Sequence, residues 1–194
     1  MPTTTANKVT IARILLVPVF VVELLHYTAH GEAVHRWVAL TVFLVAAIGD
    51  GVDGYLARHY HQRTAMGALL DPLADKLLLV LGLVTLSLNH QPGLEPIPLW
   101  LTGTVLAREV MLLLLLVLVN DRVGHGEVRP RWTGKVATVL QMTCVVWVLA
   151  GFSVAWLHPL ALAATGFTAL SGLYYLRDGL RMLRCPPSPP PESG

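Results

Sequence analysis

Four aspartates, Asp50, Asp53, Asp71 and Asp75, stand close together in a chain whose surrounding residues are overwhelmingly apolar. An ionisable side chain at bilayer depth costs at least about 2.5–3.5 kcal/mol on insertion scales, so four in one short stretch require a cation to hold them there. Asp50 and Asp53 are three residues apart, Asp71 and Asp75 four. On helices both spacings put the pair on one face. Hard carboxylate oxygens suit Mg2+ or Mn2+, and no His/Cys set with them argues for zinc. Clustered carboxylates also push their pKa values apart, so one member can move a proton while the others bind metal. Helix capping or a boundary charge would account for any one of these aspartates. Paired acids on both sides of one loop argue instead for a metal site.

Small residues surround the acids: Gly49, Gly51, Gly54, Ala57, Gly67, Ala68 and Ala74. They permit close helix approach and leave room for a ligand against the backbone. The string Asp50-x-x-Asp53-Gly54-x-x-Ala57-Arg58, eight further residues, then Gly67-x-x-x-Asp71-x-x-x-Asp75 resembles the signature of the CDP-alcohol phosphatidyltransferase family. The resemblance implies transfer of a phosphatidyl group from CDP-diacylglycerol to an alcohol, with release of CMP. It implies a two-ion site of Mg2+ or Mn2+ on Asp50, Asp53, Asp71 and Asp75, with Asp75 also the general base on the acceptor hydroxyl. Asp53, Gly54, Ala57, Arg58 and Gly67 would form the CDP-diacylglycerol site. A homodimer is implied as well. The chemistry agrees: a diphosphate under attack by a weak nucleophile needs its charge neutralised, which a two-metal site supplies. Arg58 suits a phosphate oxygen through its planar fork, with a cytoplasmic anchor as the lesser alternative. Lys76 either reaches the diphosphate or snorkels to the interface.

The elements that must carry this site are membrane helices. Of 194 residues, 54% are hydrophobic and 13% charged, against roughly 25% charged in soluble domains. Apolar runs at 11–28, 34–57, 69–89, 97–119, 136–157 and 158–176 each approach the ~20 residues of a spanning helix. The expected fold is an all-α integral membrane protein, a bundle of six transmembrane helices with both termini cytoplasmic. The first span carries Glu23, and a signal peptide is its alternative; the length of the run and the lack of a small-x-small cleavage site favour the helix. With the N-terminus inside, the basic residues fall at the cytoplasmic edge, among them Lys8, Arg58, Arg122, Arg129 and Arg181, and only Arg36 falls outside. That is the positive-inside pattern. Residues 1–184 form one membrane domain, and the Pro-rich 185–194 reads as a disordered tail. Cys144 and Cys185 are expected to be free, and the histidines interfacial. The resemblance implies a bacterial cell membrane, and the charge pattern sets the site toward the cytoplasm with membrane lipids as neighbours. Nothing points to nucleic acid.

Arg108 and Glu109 lie well inside the fourth run and are tolerable only if paired or facing a polar cavity. In the cavity case Arg108 is placed to bind an acceptor phosphate. Arg129, Arg131 and Lys135 cluster before the fifth run, where an anionic headgroup, a substrate phosphate or topology alone would use them. Ala107-Arg108-Glu109, Gly134-Lys135-x-x-Thr138-x-x-Gln141 and the opening Asn7-Lys8-Val9-Thr10 are similar to the glycerol-using branch of the family. That branch implies glycerol 3-phosphate as acceptor, with phosphatidylglycerol the alternative. One position departs: glycerol 3-phosphate users of that branch usually carry a second arginine where Leu116 stands here. A transporter, channel or structural subunit would spread its charges along a pathway or need none, rather than gather them at one edge.

Overall fold

The computed structural model describes residues 5–60, 65–88, 94–123 and 132–184, with side chains at 15–49, 76–88, 94–119, 121 and 132–183. The elements are helices: α1 Thr5–His30, α2 Ala33–Tyr60, α3 Ala65–Ser87, α4 Leu99–Val123, α5 Trp132–Ala150 and α6 Val154–Arg184. Three of them, over Leu99–Val119, Trp132–Ala150 and Val154–Leu183, are long and apolar enough to cross a membrane. The apolar stretches whose side chains are described in α1, α2 and α3 are shorter, Leu15–His30, Ala33–Gly49 and Lys76–Ser87.

Among the described residues two glycines with positive φ set turns. Gly31 has φ 75° and its N–H donates to the Tyr27 carbonyl at 2.8 Å, so α1 reverses into α2 through Gly31 and Glu32 alone. Gly151 has φ 73°; its N–H donates to Val148 and that of Phe152 to Trp147. This is the paired bond pattern that caps a helix through a left-handed residue. Hydropathy alone sets the break between the fifth and sixth elements at 157/158, whereas the chain turns at 151–153. Apolar residues continue through that turn, so only the backbone conformation marks it.

Packing follows stripes at helical spacing: Phe20, Leu24 and Tyr27 on α1, Ala39, Phe43 and Ala46 on α2, Leu79, Leu83 and Leu86 on α3, Leu157, Ala161 and Ala164 on α6. Helix α1 lies against α2 and α3; α6 lies against α4 and α5; α5 joins the halves by touching α2 and α3. Gly82 lets the Phe20 ring sit against α3, since a Cβ there would lie 3.3 Å from the ring. Outward-facing Leu113, Leu114, Val117, Leu162 and Leu173 form an apolar exterior.

Glu23, which interrupts the first apolar run, is bonded by His35 Nδ1 at 2.6 Å across the α1–α2 turn. His35 thus has a partner that a purely interfacial reading of the histidines misses. Among the cysteines, Cys144 is buried and free, as expected; Cys185 lies outside the described residues.

Candidate functional site

Asp50, Asp53, Gly54, Ala57 and Arg58 fall on the last turns of α2, and Gly67, Asp71 and Asp75 on the first turns of α3. Each acid pair therefore lies on an uninterrupted helix, where its spacing gives a common face. At 1.5 Å per residue, Asp53 and Asp71 stand about 9–10 Å from the ends of α2 and α3 that residues 61–64 join, and Asp50 and Asp75 about 15 Å. The two pairs thus occupy matching levels at one end of the bundle. The side chains of all eight residues, and Arg131 altogether, lie outside the described residues.

Immediately after Asp75, Lys76 enters a described ionic network. Its Nζ donates to Glu109 Oε2 at 2.6 Å, and Arg108 Nη1 donates to Glu109 Oε1 at 2.8 Å. One carboxylate on α4 therefore holds its own neighbour and a cation on α3. The Arg108 and Glu109 side chains are 10% and 16% exposed, that of Lys76 49%.

Arg108 is fitted closely into the α5–α6 surface. Its guanidinium lies 5.9 Å from the centre of the Tyr175 ring, within cation–π range. A Cβ on Gly134 would fall 3.1 Å from Nη2, and one on Gly172 would touch the stem at Cγ. Two glycines, one from each helix, thus make the slot. Arg108 Nε and the nearby Thr133 Oγ1 are buried without a hydrogen-bond partner among the described residues, which marks this as a polar interior not fully satisfied by protein.

Beside the network is a cavity of about 140 Å³, lined by Lys76 from α3, Arg108 and Glu109 from α4, and Thr138 and Gln141 from α5 over Leu79, Val80 and Val105. Thr138 and Gln141, three apart, share a face of α5. Gln141 Nε2 donates to Thr168 Oγ1 at 2.7 Å, and that hydroxyl donates onward to the Ala164 carbonyl at 2.6 Å. Because the threonine proton is committed to Ala164, the glutamine must present its amide there, which turns Oε1 away as a remaining acceptor. Among the described residues the lining carries two cations against one carboxylate, an excess of one positive charge. A small anion with hydroxyl groups fits this lining. A larger cavity, about 240 Å³, sits at the α5–α6 turn against Trp147, Phe152 and Leu157; among the described residues Glu95 is the only charged one of its lining, and these gather no reactive set.

Of the residues expected on the acceptor side, Arg108 lines the first cavity, whereas Lys135 is exposed on α5 and does not. Thr138 and Gln141 are quoted in sequence only as part of a motif; their shared helical face was the available signal. The Lys76–Glu109 pair had none, since its members are 33 residues apart on different helices.

Residues 3–167 match the family model described as CDP-alcohol phosphatidyltransferase. A protein of Mycobacterium tuberculosis named probable phosphatidylglycerophosphate synthase is 36% identical over 180 residues, covering 91% of this chain and 81% of that protein. A CDP-diacylglycerol–glycerol-3-phosphate 3-phosphatidyltransferase of Pseudomonas fluorescens is 36% identical over 181 residues, covering 88% and 87%. One of the same name from Escherichia coli is 34% identical over 140 residues, covering 72% and 73%.

Proposed function

The chain belongs to the CDP-alcohol phosphatidyltransferase family, and on that premise we propose that it moves the phosphatidyl group of CDP-diacylglycerol onto glycerol 3-phosphate and releases CMP. The observation that carries this reading is the complete acidic motif on two consecutive helices, followed directly by a cation-lined, hydroxyl-bearing cavity.

Asp75 takes the proton of the acceptor hydroxyl. That oxygen bonds to the phosphatidyl phosphorus, and the bond from this phosphorus to the bridging oxygen breaks, with the electron pair leaving on CMP. A positioned base of this kind is worth about 10²–10⁴-fold. Gly54, Ala57 and Gly67 let the diphosphate approach the backbone, and Arg58 donates to a phosphate oxygen. Arg108 serves the acceptor phosphate, with Arg131 and Lys135 drawing anions toward the same end of the bundle.

Proteins of this family work with divalent metal ions, and the donor set fits one. Asp50, Asp53, Asp71 and Asp75 are all hard oxygen donors, carried in two pairs at matching levels on α2 and α3, as Mg2+ or Mn2+ requires. When bound, two such ions neutralise the diphosphate charge.

Six spans, with both termini and residues 61–64 and 124–131 on the cytoplasmic side, complete the reading. It is supported by exposed Trp37, Trp100 and Trp156 at the starts of α2, α4 and α6. These would form an aromatic belt at the outer interface, beside Arg36, the one basic residue at that end. The protein is then a multi-pass protein of a bacterial cell membrane, residues 1–184 one domain with a Pro-rich tail at 185–194, working as a homodimer. The sequence departure at Leu116 raises one second reading, with phosphatidylglycerol as acceptor.

The test is CMP release by purified protein given CDP-diacylglycerol and Mg2+ or Mn2+, with each acceptor in a separate tube. Release with glycerol 3-phosphate, abolished by chelation, is expected. Release with phosphatidylglycerol alone selects the second reading, and release that survives chelation refutes the acidic site.

A further inference from the structure

We propose that Lys76 joins the fixed Arg108 as the mobile cation that closes on the acceptor's phosphate and that Glu109 is the residue that positions it, an inference that rests on the cavity beside them being the acceptor site. The three ionic groups differ in how firmly they are held. Arg108 and Glu109 are mostly buried and bonded to one another at 2.8 Å, while Lys76 is half-exposed. Separating the buried pair would strand a charge in the interior. Lys76 itself is half-exposed, and Glu109 keeps its bond to Arg108 when the ammonium moves, so Lys76 can shift toward another anion without leaving that carboxylate unpaired. Lys76 is the mobile cation, and the other two are its frame.

The frame also explains why two cations share one small cavity. Glu109 gives one oxygen to each, which offsets their mutual repulsion and leaves one positive charge among the three described groups for an incoming anion. A phosphate monoester carries close to two negative charges near neutral pH. An ammonium with three donors on a flexible stem can take phosphate oxygens while keeping a bond to Glu109, whereas a guanidinium already committed to Glu109 and wedged between Gly134 and Gly172 cannot swing. Simple snorkelling of Lys76 would carry Nζ toward water. Instead it lies 2.6 Å from a carboxylate that is only 16% exposed. Lys76 also follows the proposed base, Asp75, directly in sequence, so the phosphate and the reacting hydroxyl of a three-carbon acceptor are handled from one turn of α3.

The test uses the full-length enzyme in detergent, with CMP release titrated separately against glycerol 3-phosphate and CDP-diacylglycerol. Lys76→Gln is expected to raise KM for glycerol 3-phosphate about tenfold or more, to leave KM for CDP-diacylglycerol within twofold, and to weaken inhibition by inorganic phosphate in proportion. Lys76→Arg, which keeps the charge, should recover most of that loss. Glu109→Asp keeps Arg108 paired but withdraws the carboxylate by one methylene. It should raise the same KM severalfold and add nothing in a Lys76→Gln background. An unchanged KM for glycerol 3-phosphate in Lys76→Gln overturns the assignment, as does a parallel rise in both KM values with a lower melting temperature. A Glu109→Asp effect that adds fully to that of Lys76→Gln overturns the positioning role. If the unaltered enzyme releases no CMP with glycerol 3-phosphate, the parent reading fails and takes this one with it.

Discussion

Adding a single methyl group at Gly134 separates the packing of Arg108 from its use. A Cβ there would fall 3.1 Å from Arg108 Nη2, 3.2 Å from Ser171 Oγ and 3.4 Å from the Tyr175 hydroxyl. The first two contacts are tighter than side chains normally tolerate, so the guanidinium must move by a few tenths of an ångström while Glu109 holds its other nitrogen. Overpacking of this kind costs about 1–3 kcal/mol. Replacing glycine by alanine in a helix returns at most about 1 kcal/mol, less in a first turn. The net loss of stability is therefore about 0–3 kcal/mol, a melting shift of roughly ten degrees at most. The effect on catalysis should be disproportionate. If a misplacement of about 1 Å costs on the order of 100-fold, a few tenths cost roughly three- to tenfold. For Gly134→Ala we expect kcat/KM for glycerol 3-phosphate to fall by that factor with KM for CDP-diacylglycerol unchanged. CMP-release kinetics set beside a thermal melt in detergent measure both. Acceptor kinetics that stay at the wild-type level would refute the placement of Arg108 in the acceptor site. A proportional loss against both substrates would make it a structural arginine.

Asp75→Asn should lower CMP release by about 10²–10⁴-fold, the usual worth of a general base, with the melt unchanged; activity within tenfold of wild type would remove Asp75 from that role. Gln141→Leu keeps the volume and leaves Thr168 bonded to Ala164, so it should raise KM for glycerol 3-phosphate roughly five- to tenfold, the loss of about one hydrogen bond. A Gln141→Leu enzyme with unaltered acceptor kinetics would exclude that side chain from the site. For topology, single cysteines at Glu32 and near Arg129 should react differently with a membrane-impermeant thiol reagent in intact cells, the first labelled and the second protected. The reverse pattern would invert the orientation.

The six helices were legible because apolar run length is a coarse, robust signal, and the acidic motif because residue type and spacing survive without a structure. The end of α5 was not. Around Gly151 the sequence reads Leu-Ala-Gly-Phe-Ser-Val-Ala-Trp, with no dip in hydropathy deep enough to mark a turn; the signal is a positive φ that only the backbone reveals. The charges behaved similarly. Arg108 and Glu109 announced a need for partners, since a lone charge does not persist at that depth. Which partner each would find depends on how α3, α4 and α5 pack. Glu109 turns toward Lys76, and Glu23 toward His35, across gaps in sequence that carry no periodicity.

The same packing bears on the one position where the sequence departs from its branch. Leu116 is eight residues beyond Arg108 on α4, hence about 12 Å further along and roughly 80° round the helix. It is 53% exposed, on the outer side with Leu113 and Val117, while its neighbour Leu115 turns inward against Gly179. An arginine in that place would stand on the outer surface of the bundle, not in the wall of the cavity. Its absence therefore takes nothing from the lining, to which Lys76, Arg108, Glu109, Thr138 and Gln141 all contribute. Choice of acceptor follows from the groups a small molecule meets, and these suit a compact phosphorylated alcohol: cations for its phosphate, a hydroxyl and an amide carbonyl for its oxygens. A lipid acceptor without a phosphate monoester would leave the excess charge of the described lining uncompensated. On this geometry glycerol 3-phosphate remains the better acceptor with leucine at 116.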